Sequence, residues 1–276
     1  MDAIEVKEMV RARYGGIAAG AVADGLRPSC CDGSATPVAD NKSLRMGYSA
    51  DELAAVPEGA NLGLGCGNPQ AIAAMKPGET VVDLGSGAGF DCLLAAKQVG
   101  ADGRVIGVDM THEMLRKARD NAAKVGVENV EFRLGELEHL PIADNTAHVI
   151  LSNCVINLVP DKAQVFHEAF RVLKPGGRLA ISDVVNIREL TPELAADRAL
   201  ICGCVAGAAP RLEIEAWLLA AGFRDVVITV KSESREMVAS WAPGRGIENY
   251  VAAAIIEARK PHADEAGTCC TTSCCG

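Results

Sequence analysis

From residue 79 onward the chain alternates short apolar runs with amphipathic stretches. Residues 79–85 (ETVVDLG) form a β-branched run that predicts a strand, and residues 90–100 (FDCLLAAKQVG) have helical spacing with a glycine stop. A second strand is predicted over 104–110 (RVIGVDM) and a helix over 111–126, with Thr111 as N-cap and Gly126 just past its end. Strands follow at 129–135 (NVEFRLG) and 147–153 (AHVILSN), then a helix from Pro160 to about Leu173, a KPGG turn and a fifth strand, RLAISDV. Strands alternating with helices of this length imply right-handed βαβ units and a doubly wound sheet covered on both faces.

Outside that stretch the rhythm changes. Residues 1–16 predict a short amphipathic helix closed by Gly15 and Gly16, and residues 15–49 read as a loop-like lead-in rich in Gly, Pro, Ser and Asp. A helix is expected from about Pro192 to Ile201, then a small-residue stretch, CGCVAGAAP, and a helix reaching Gly222. Two closing strands, DVVITV and YVAAAIIEARK, flank an insertion over 231–246. Four units follow: a helix and lead-in over 1–60, a core over 61–188, a capping and closing-strand region over 189–260, and a small, polar, thiol-rich tail over 261–276 that is expected to lack order without a ligand.

Composition narrows the function. The net charge of −9 argues against a nucleic-acid partner, which needs concentrated Lys and Arg. No window has the uninterrupted apolar length of a membrane span, and the early acidic residues do not fit a signal peptide, so a cytoplasmic location is expected. No dimer surface can be read from the sequence, so a monomer is the default expectation. The 4% aromatic content points to aliphatic α/β packing. Eleven cysteines are then the anomaly, since a reducing compartment turns such density toward metal binding, catalysis or redox work.

Two glycine-rich loops compete for a nucleotide. VVDLGSGAGFD joins a strand to a helix, whose free N–H groups and dipole would face the ligand, whereas NLGLGCGNP has no apolar strand before it. The first loop is G-x-G-x-G, with Gly85, Ser86, Gly87 and Gly89, and Asp83 stands two residues ahead of it. Asp109 ends the second strand, where a carboxylate can accept both ribose hydroxyls, with Met110 beside it. Gly135 and Glu136 follow the third strand, near the expected place of an adenine amino group, and Asn153 ends the fourth. With RVLKPGGRL before strand five, this order resembles the class I S-adenosylmethionine-dependent methyltransferases. The resemblance implies a Rossmann-like sheet, mostly parallel with an antiparallel last strand and a small C-terminal substrate-capping region, and S-adenosyl-L-methionine as cofactor.

Ligands of open α/β sheets bind beyond the carboxyl ends of the strands. Cys154 lies there in SNCVINLVP, Cys66 sits in the second glycine loop, and Cys204 in CGCVAGA after strand five. Small neighbours leave each thiol room to converge on one site. The plainer reading of any one of them is a small buried hydrophobe, which is the assignment for Cys92; Cys202, two residues from Cys204, is ambiguous. Zinc is disfavoured, since no C-x-x-C pair occurs.

Taken in order, LGLGCGNP, DLGSGAGFD, SNCVINL and CVAGA resemble the arsenite methyltransferases over nearly the whole chain. The resemblance implies that Cys66, Cys154 and Cys204 bind trivalent arsenic, and that Cys30 or Cys31 is the counterpart of a further family cysteine. Soft, thiophilic arsenic suits three thiolates. Its lone pair can attack the sulfonium methyl in line without a general base, so catalysis would rest on orientation and proximity. Arsenite would arrive as a thiol conjugate, with glutathione or a thioredoxin system as reductant and a Cys30 or Cys31 disulfide to Cys66 as the internal step. The tail cysteines Cys269, Cys270, Cys274 and Cys275 would ferry metalloid or be dispensable. Competing readings are a methyltransferase for a quinone or lipid acceptor, and a metalloid-sequestering protein with an inactive core.

Overall fold

A computed structural model describes residues 1–20 and 38–265 of the chain. Its helices are α1 (Ala3–Ala18), α2 (Val38–Arg45), α3 (Ala50–Ala54), α4 (Gln70–Ala73), α5 (Phe90–Val99), α6 (His112–Lys124), α7 (Lys162–Val172), α8 (Pro192–Ala195), α9 (Arg198–Cys202), α10 (Arg211–Ala221) and α11 (Arg235–Trp241). Its strands are β1 (Thr80–Leu84), β2 (Arg104–Asp109), β3 (Val130–Leu134), β4 (Ala147–Asn153), β5 (Leu173–Asn186), β6 (Ala209–Pro210), β7 (Arg224–Val230) and β8 (Val251–Arg259).

The strands form one sheet in the order β3-β2-β1-β4-β5-β8-β7, with β6 paired to the end of β5. β8 runs antiparallel to both of its neighbours, and the ladders among β1 to β5 are parallel. The central strands read as near-continuous apolar runs because both their faces are covered. Val82, Leu84 and Ile150 pack under Phe166, Ile214, Leu218 and Phe223, while Val81, Val149 and Leu151 pack under Cys92, Leu93, Ala96 and Leu115. Neighbouring residues of β1 and β4 thus serve opposite cores, as the two-residue period of a strand dictates. Strand order reverses between β1 and β4, so the ligand crevice is expected beyond their carboxyl ends. β1 delivers the G-x-G-x-G loop to that crevice, and β4 delivers Cys154.

Several local expectations are corrected. α1 does not close at Gly15 and Gly16 but continues to Ala18, opened by a capping box between Asp2 and Glu5. A Cβ on Gly15 would stand 3.2 Å from a carboxylate oxygen of Glu113, so this glycine serves close approach to α6. The lead-in is not all loop, since α2 falls within it. The helix expected over 192–201 is two short helices, α8 and α9, each capped by its own side chain, Thr191 and Asp197. α7 starts at Lys162 rather than Pro160, because Asp161 accepts the Gln164 N–H as its N-cap. The KPGG segment lies within β5 as a break in register, Ala147 pairing Leu173 and Val149 pairing Arg178. The expected insertion carries α11, and β7 and β8 extend the same sheet as the core. Cys30, Cys31 and the four tail cysteines lie outside the described residues.

Candidate active site

A cavity of about 510 Å³ opens beyond the carboxyl ends of β1, β2 and β4. Asp83, Gly85, Ser86, Gly87, Asp109, Met110, Gly135, Glu136, Asn153, Cys154 and Cys204 all line it, together with Cys202. Gly85, Gly87 and Gly89 have φ of 75°, 51° and 88°, the left-handed region that a side chain would strain. A Cβ on Gly85 would also meet Val155 at 2.5 Å, whereas one on Gly87 would meet nothing within 4 Å and would fill open cavity. Gly89 caps α5. Asp109 is anchored at the loop by accepting the Gly87 N–H at 3.0 Å and the Thr111 N–H at 2.8 Å. Burial raises its carboxyl against those hydrogen bonds. Glu136 is held by Lys7 at 2.6 Å and Arg11 at 3.3 Å, both from α1, and these cations keep it below the usual carboxylate range.

Two of the three expected thiols, Cys66 and Cys154, cluster beside this cavity with Asp183, while the Cys204 sulfur stands outside that cluster and donates to the Cys154 carbonyl. Cys66 is buried, and its sulfur, that of Cys154 and an Asp183 carboxylate oxygen lie within 4.8 Å of one another. Cys154 also contacts Cys204, and the contacts with Cys204 and Cys66, followed by burial, push its thiol well up. The Cys204 thiol is raised as well: its contact with Cys154 lowers it, but burial and Asp183 outweigh that. Cys154 and Cys204 have φ of 56° and 62°, a region that costs a non-glycine residue on the order of 1–3 kcal/mol. The strain is held on both sides. Cys154 donates its N–H to the Ser182 carbonyl at 2.8 Å, and its own carbonyl accepts the Cys204 thiol at 2.7 Å.

Comparison with known proteins follows this geometry. A family profile described as "Methyltransferase domain" matches residues 75–239. The chain is 51% identical over 275 residues to an arsenite methyltransferase of Halobacterium salinarum, covering 96% of this chain and 69% of that one. The chain belongs to the arsenite methyltransferases. An arsenite methyltransferase of Aquipseudomonas alcaligenes is 43% identical over 187 residues, 65% of this chain and 51% of its own. Among solved structures, the crystal structure of an arsenic(III) S-adenosylmethionine methyltransferase from Chlamydomonas reinhardtii superposes with a TM-score of 0.58 at 32% identity, covering 82% of this chain and 74% of that one. The antiparallel β8 and the mostly parallel sheet agree with the class I fold expected from the motifs.

This arsenite methyltransferase fits S-adenosylmethionine on its own residues. The Ser86 hydroxyl is buried without a hydrogen-bond partner among the described residues, at a loop whose Gly87 faces open cavity, with the Asp109 carboxylate alongside. An orphaned buried hydroxyl is rare enough to ask for a ligand.

Sequence reasoning missed the residues that hold the site in shape. Asn153 is committed to the Cys66 loop: its Oδ1 accepts the Cys66 N–H at 3.0 Å, while its Nδ2 donates to the Gly67 carbonyl at 2.8 Å and the Tyr48 hydroxyl at 3.0 Å. Tyr48 donates onward to Asp91 at 2.8 Å, and Gln70 donates to the same oxygen at 3.1 Å. Asp183 accepts from the Ile156 N–H, the Asn157 amide and the Val184 N–H at 2.7–3.0 Å, which fixes the turn after Cys154. The signal available for Asp183 was a lone carboxylate inside an apolar strand, where a charge needs partners.

Proposed function

We propose that this arsenite methyltransferase methylates trivalent arsenic held by Cys66, Cys154 and Cys204, with the cofactor seated on the β1–α5 loop. The observation that carries the reading is the clustering of the Cys66 and Cys154 sulfurs within 4.8 Å, with the Cys204 thiol bonded to the Cys154 carbonyl, beside the cavity that this loop lines. When bound, S-adenosylmethionine supplies an electrophilic methyl group on a sulfonium centre. The protein's part is to bind and orient.

Arsenite exchanges its hydroxyls, or a conjugate its thiolates, for the three cysteine sulfurs. The thiol protons leave as water or as free thiol. Held by the three sulfurs, arsenic would present its lone pair to that methyl group, and methyl transfer would oxidise it by two electrons. Two thiols would return them by leaving together as a disulfide, Cys30 or Cys31 with Cys66 as the internal route. Glutathione or a thioredoxin would then reduce that disulfide by thiol exchange. Neither a proton transfer at arsenic nor a general base is needed, and the barrier is lowered by proximity. A cytoplasmic location would suit this chemistry, since a reducing compartment keeps such thiols available.

Alkylation footprinting tests the ligand set. Equimolar arsenite is expected to protect Cys66, Cys154 and Cys204 from a thiol reagent under native conditions, read by peptide mass spectrometry. Protection confined to Cys269, Cys270, Cys274 and Cys275 would overturn the assignment.

A second expectation concerns pH. Burial first, and the neighbouring Asp91 second, push Asp83 up to about 8, so at neutral pH it keeps its proton. Asp83 and Asp91 both line the cavity, and the cofactor's α-ammonium group is assigned to them. A cation placed there favours the ionised pair. Cofactor binding near pH 7 should therefore release about one proton, and little above pH 9, where Asp83 is already ionised. Calorimetry in buffers of different ionisation enthalpy measures this. An Asp83→Asn variant that released the same proton would refute it.

A further inference from the structure

The cations lining the cavity differ in what they face. Lys7 is paired with Glu136 at 2.6 Å and Glu138 at 2.9 Å, and Arg245 with Asp197 at 2.8 Å. Arg13 lies on α1 at the thiol end, where its charge acts on Tyr14 and Cys202. Lys42 has neither an ion pair nor a hydrogen bond to its ammonium group among the described residues. Its side chain is half-buried, and that partial burial lowers its pKa. A lysine that lines a ligand cavity with no acidic partner bonded to it is suited to meet an anion there.

Its position is fixed by more than its own helix. Asn61 donates to Asp40 at 2.8 Å, while its carbonyl oxygen accepts from Ser43 at 2.9 Å and from the Gly63 N–H at 3.0 Å. These bonds fasten α2 to the start of the Cys66 loop. The Lys42 stem then lies against Gly63, its Cδ 3.3 Å from where a Cβ would be. Two residues on, a Cβ at Gly65 would lie 2.9 Å from the Asn153 amide, which reaches Asp91 through Tyr48. Lys42 and the acidic pair Asp83 and Asp91 thus serve one cavity, linked through this loop.

We propose that Lys42 is the counter-ion of the α-carboxylate in the methionine part of the cofactor. The cavity then reads a zwitterion: the acidic pair takes the ammonium group, and Lys42 takes the carboxylate. The inference rests on the cofactor placement above and adds a residue to it.

The test compares two ligands on the holo-competent full chain by calorimetry. One is S-adenosylmethionine and the other is its decarboxylated analogue, which keeps the adenosine, the sulfonium and the amine. Loss of one charge-assisted contact should weaken binding about 10- to 100-fold. The wild-type chain is expected to bind the analogue weaker by that factor. Lys42→Met should weaken S-adenosylmethionine by a similar factor and leave the analogue within about twofold. Lys42→Arg should restore most of the difference. Equal weakening of both ligands by Lys42→Met would show a merely structural side chain and overturn the proposal, as would no weakening of either. Lys42→Gln gives the same comparison if the Met variant does not fold. A wild-type chain that bound neither ligand would instead refute the cofactor placement itself.

Discussion

Replacing Cys154 by serine is expected to lower methyl transfer to arsenite on the order of 10³-fold, about 4 kcal/mol of barrier. Cys154 links the other two: its sulfur lies within 4.8 Å of that of Cys66, and its carbonyl accepts the Cys204 thiol at 2.7 Å, so its loss breaks the proposed three-sulfur set at its centre. Serine keeps the size and the hydrogen-bond donor, which isolates the chemistry of sulfur. A hydroxyl oxygen is a hard ligand that hardly ionises, and trivalent arsenic is soft. The backbone should survive, because the Ser182 bond and the φ of 56° are properties of the main chain. Cys92→Ser is the control. That buried thiol donates to Asp83 at 3.2 Å, a bond a hydroxyl can repeat, so activity should stay within about threefold. Arsenic speciation at saturating cofactor measures both variants. A Cys154→Ser enzyme that still methylated arsenite at near wild-type rate would remove this cysteine from the site.

Gly67→Ala is expected to have the next largest effect, for a steric reason. A Cβ there would overlap the Ser182 hydroxyl and come within 3.2 Å of its Cβ. Ser182 belongs to a buried central strand, so the strand cannot yield and the Cys66 loop must. Overpacking of this kind costs about 1–3 kcal/mol. Displacement of Cys66, whose sulfur stands 3.8 Å from the Ser182 hydroxyl, should weaken arsenite binding about 10- to 100-fold. The double variant Gly67→Ala, Ser182→Ala removes the overlapping oxygen and should recover most of the lost melting temperature and affinity. A single Gly67→Ala that bound arsenite as tightly as the wild-type chain would count against the account.

The alternation of apolar runs and amphipathic helices was enough to read the strands of the sheet and most of its helices, while the antiparallel last strand came from the resemblance to the class I methyltransferases. The strands and helices follow from local periodicity, and each is written within ten or fifteen residues. The glycine loop was legible for the same reason, since strand, turn and helix are contiguous. Helix ends were less so, because the choice at Gly15 was made by α6 and the break between α8 and α9 by two separate caps. The thiol set could be named from small-residue segments, but the partners that shape it could not. Asn153 was read as a cofactor residue and does line the cavity, but the hold of its amide on a loop 86 residues away was not legible. Tyr48 and Lys42 carry no local signature, and Asp183 only that of a carboxylate in an apolar strand. Their roles arise only when the chain brings together segments that the sequence keeps far apart.

One such meeting bears on how the enzyme assembles. α1 lays Lys7 against Glu136, 129 residues away, and the Tyr14 hydroxyl against the Cys202 carbonyl, 188 residues away. The wall of the cavity therefore runs from near the start of the chain to Arg245. Contacts at such separations close the largest loops in the molecule and are entropically the latest to be rewarded. The binding pocket is thus a late event of folding, completed when the first helix docks onto a sheet already made. Ligands that bind only the finished form would hold the first helix and the Trp241 to Arg245 segment in one cooperative unit.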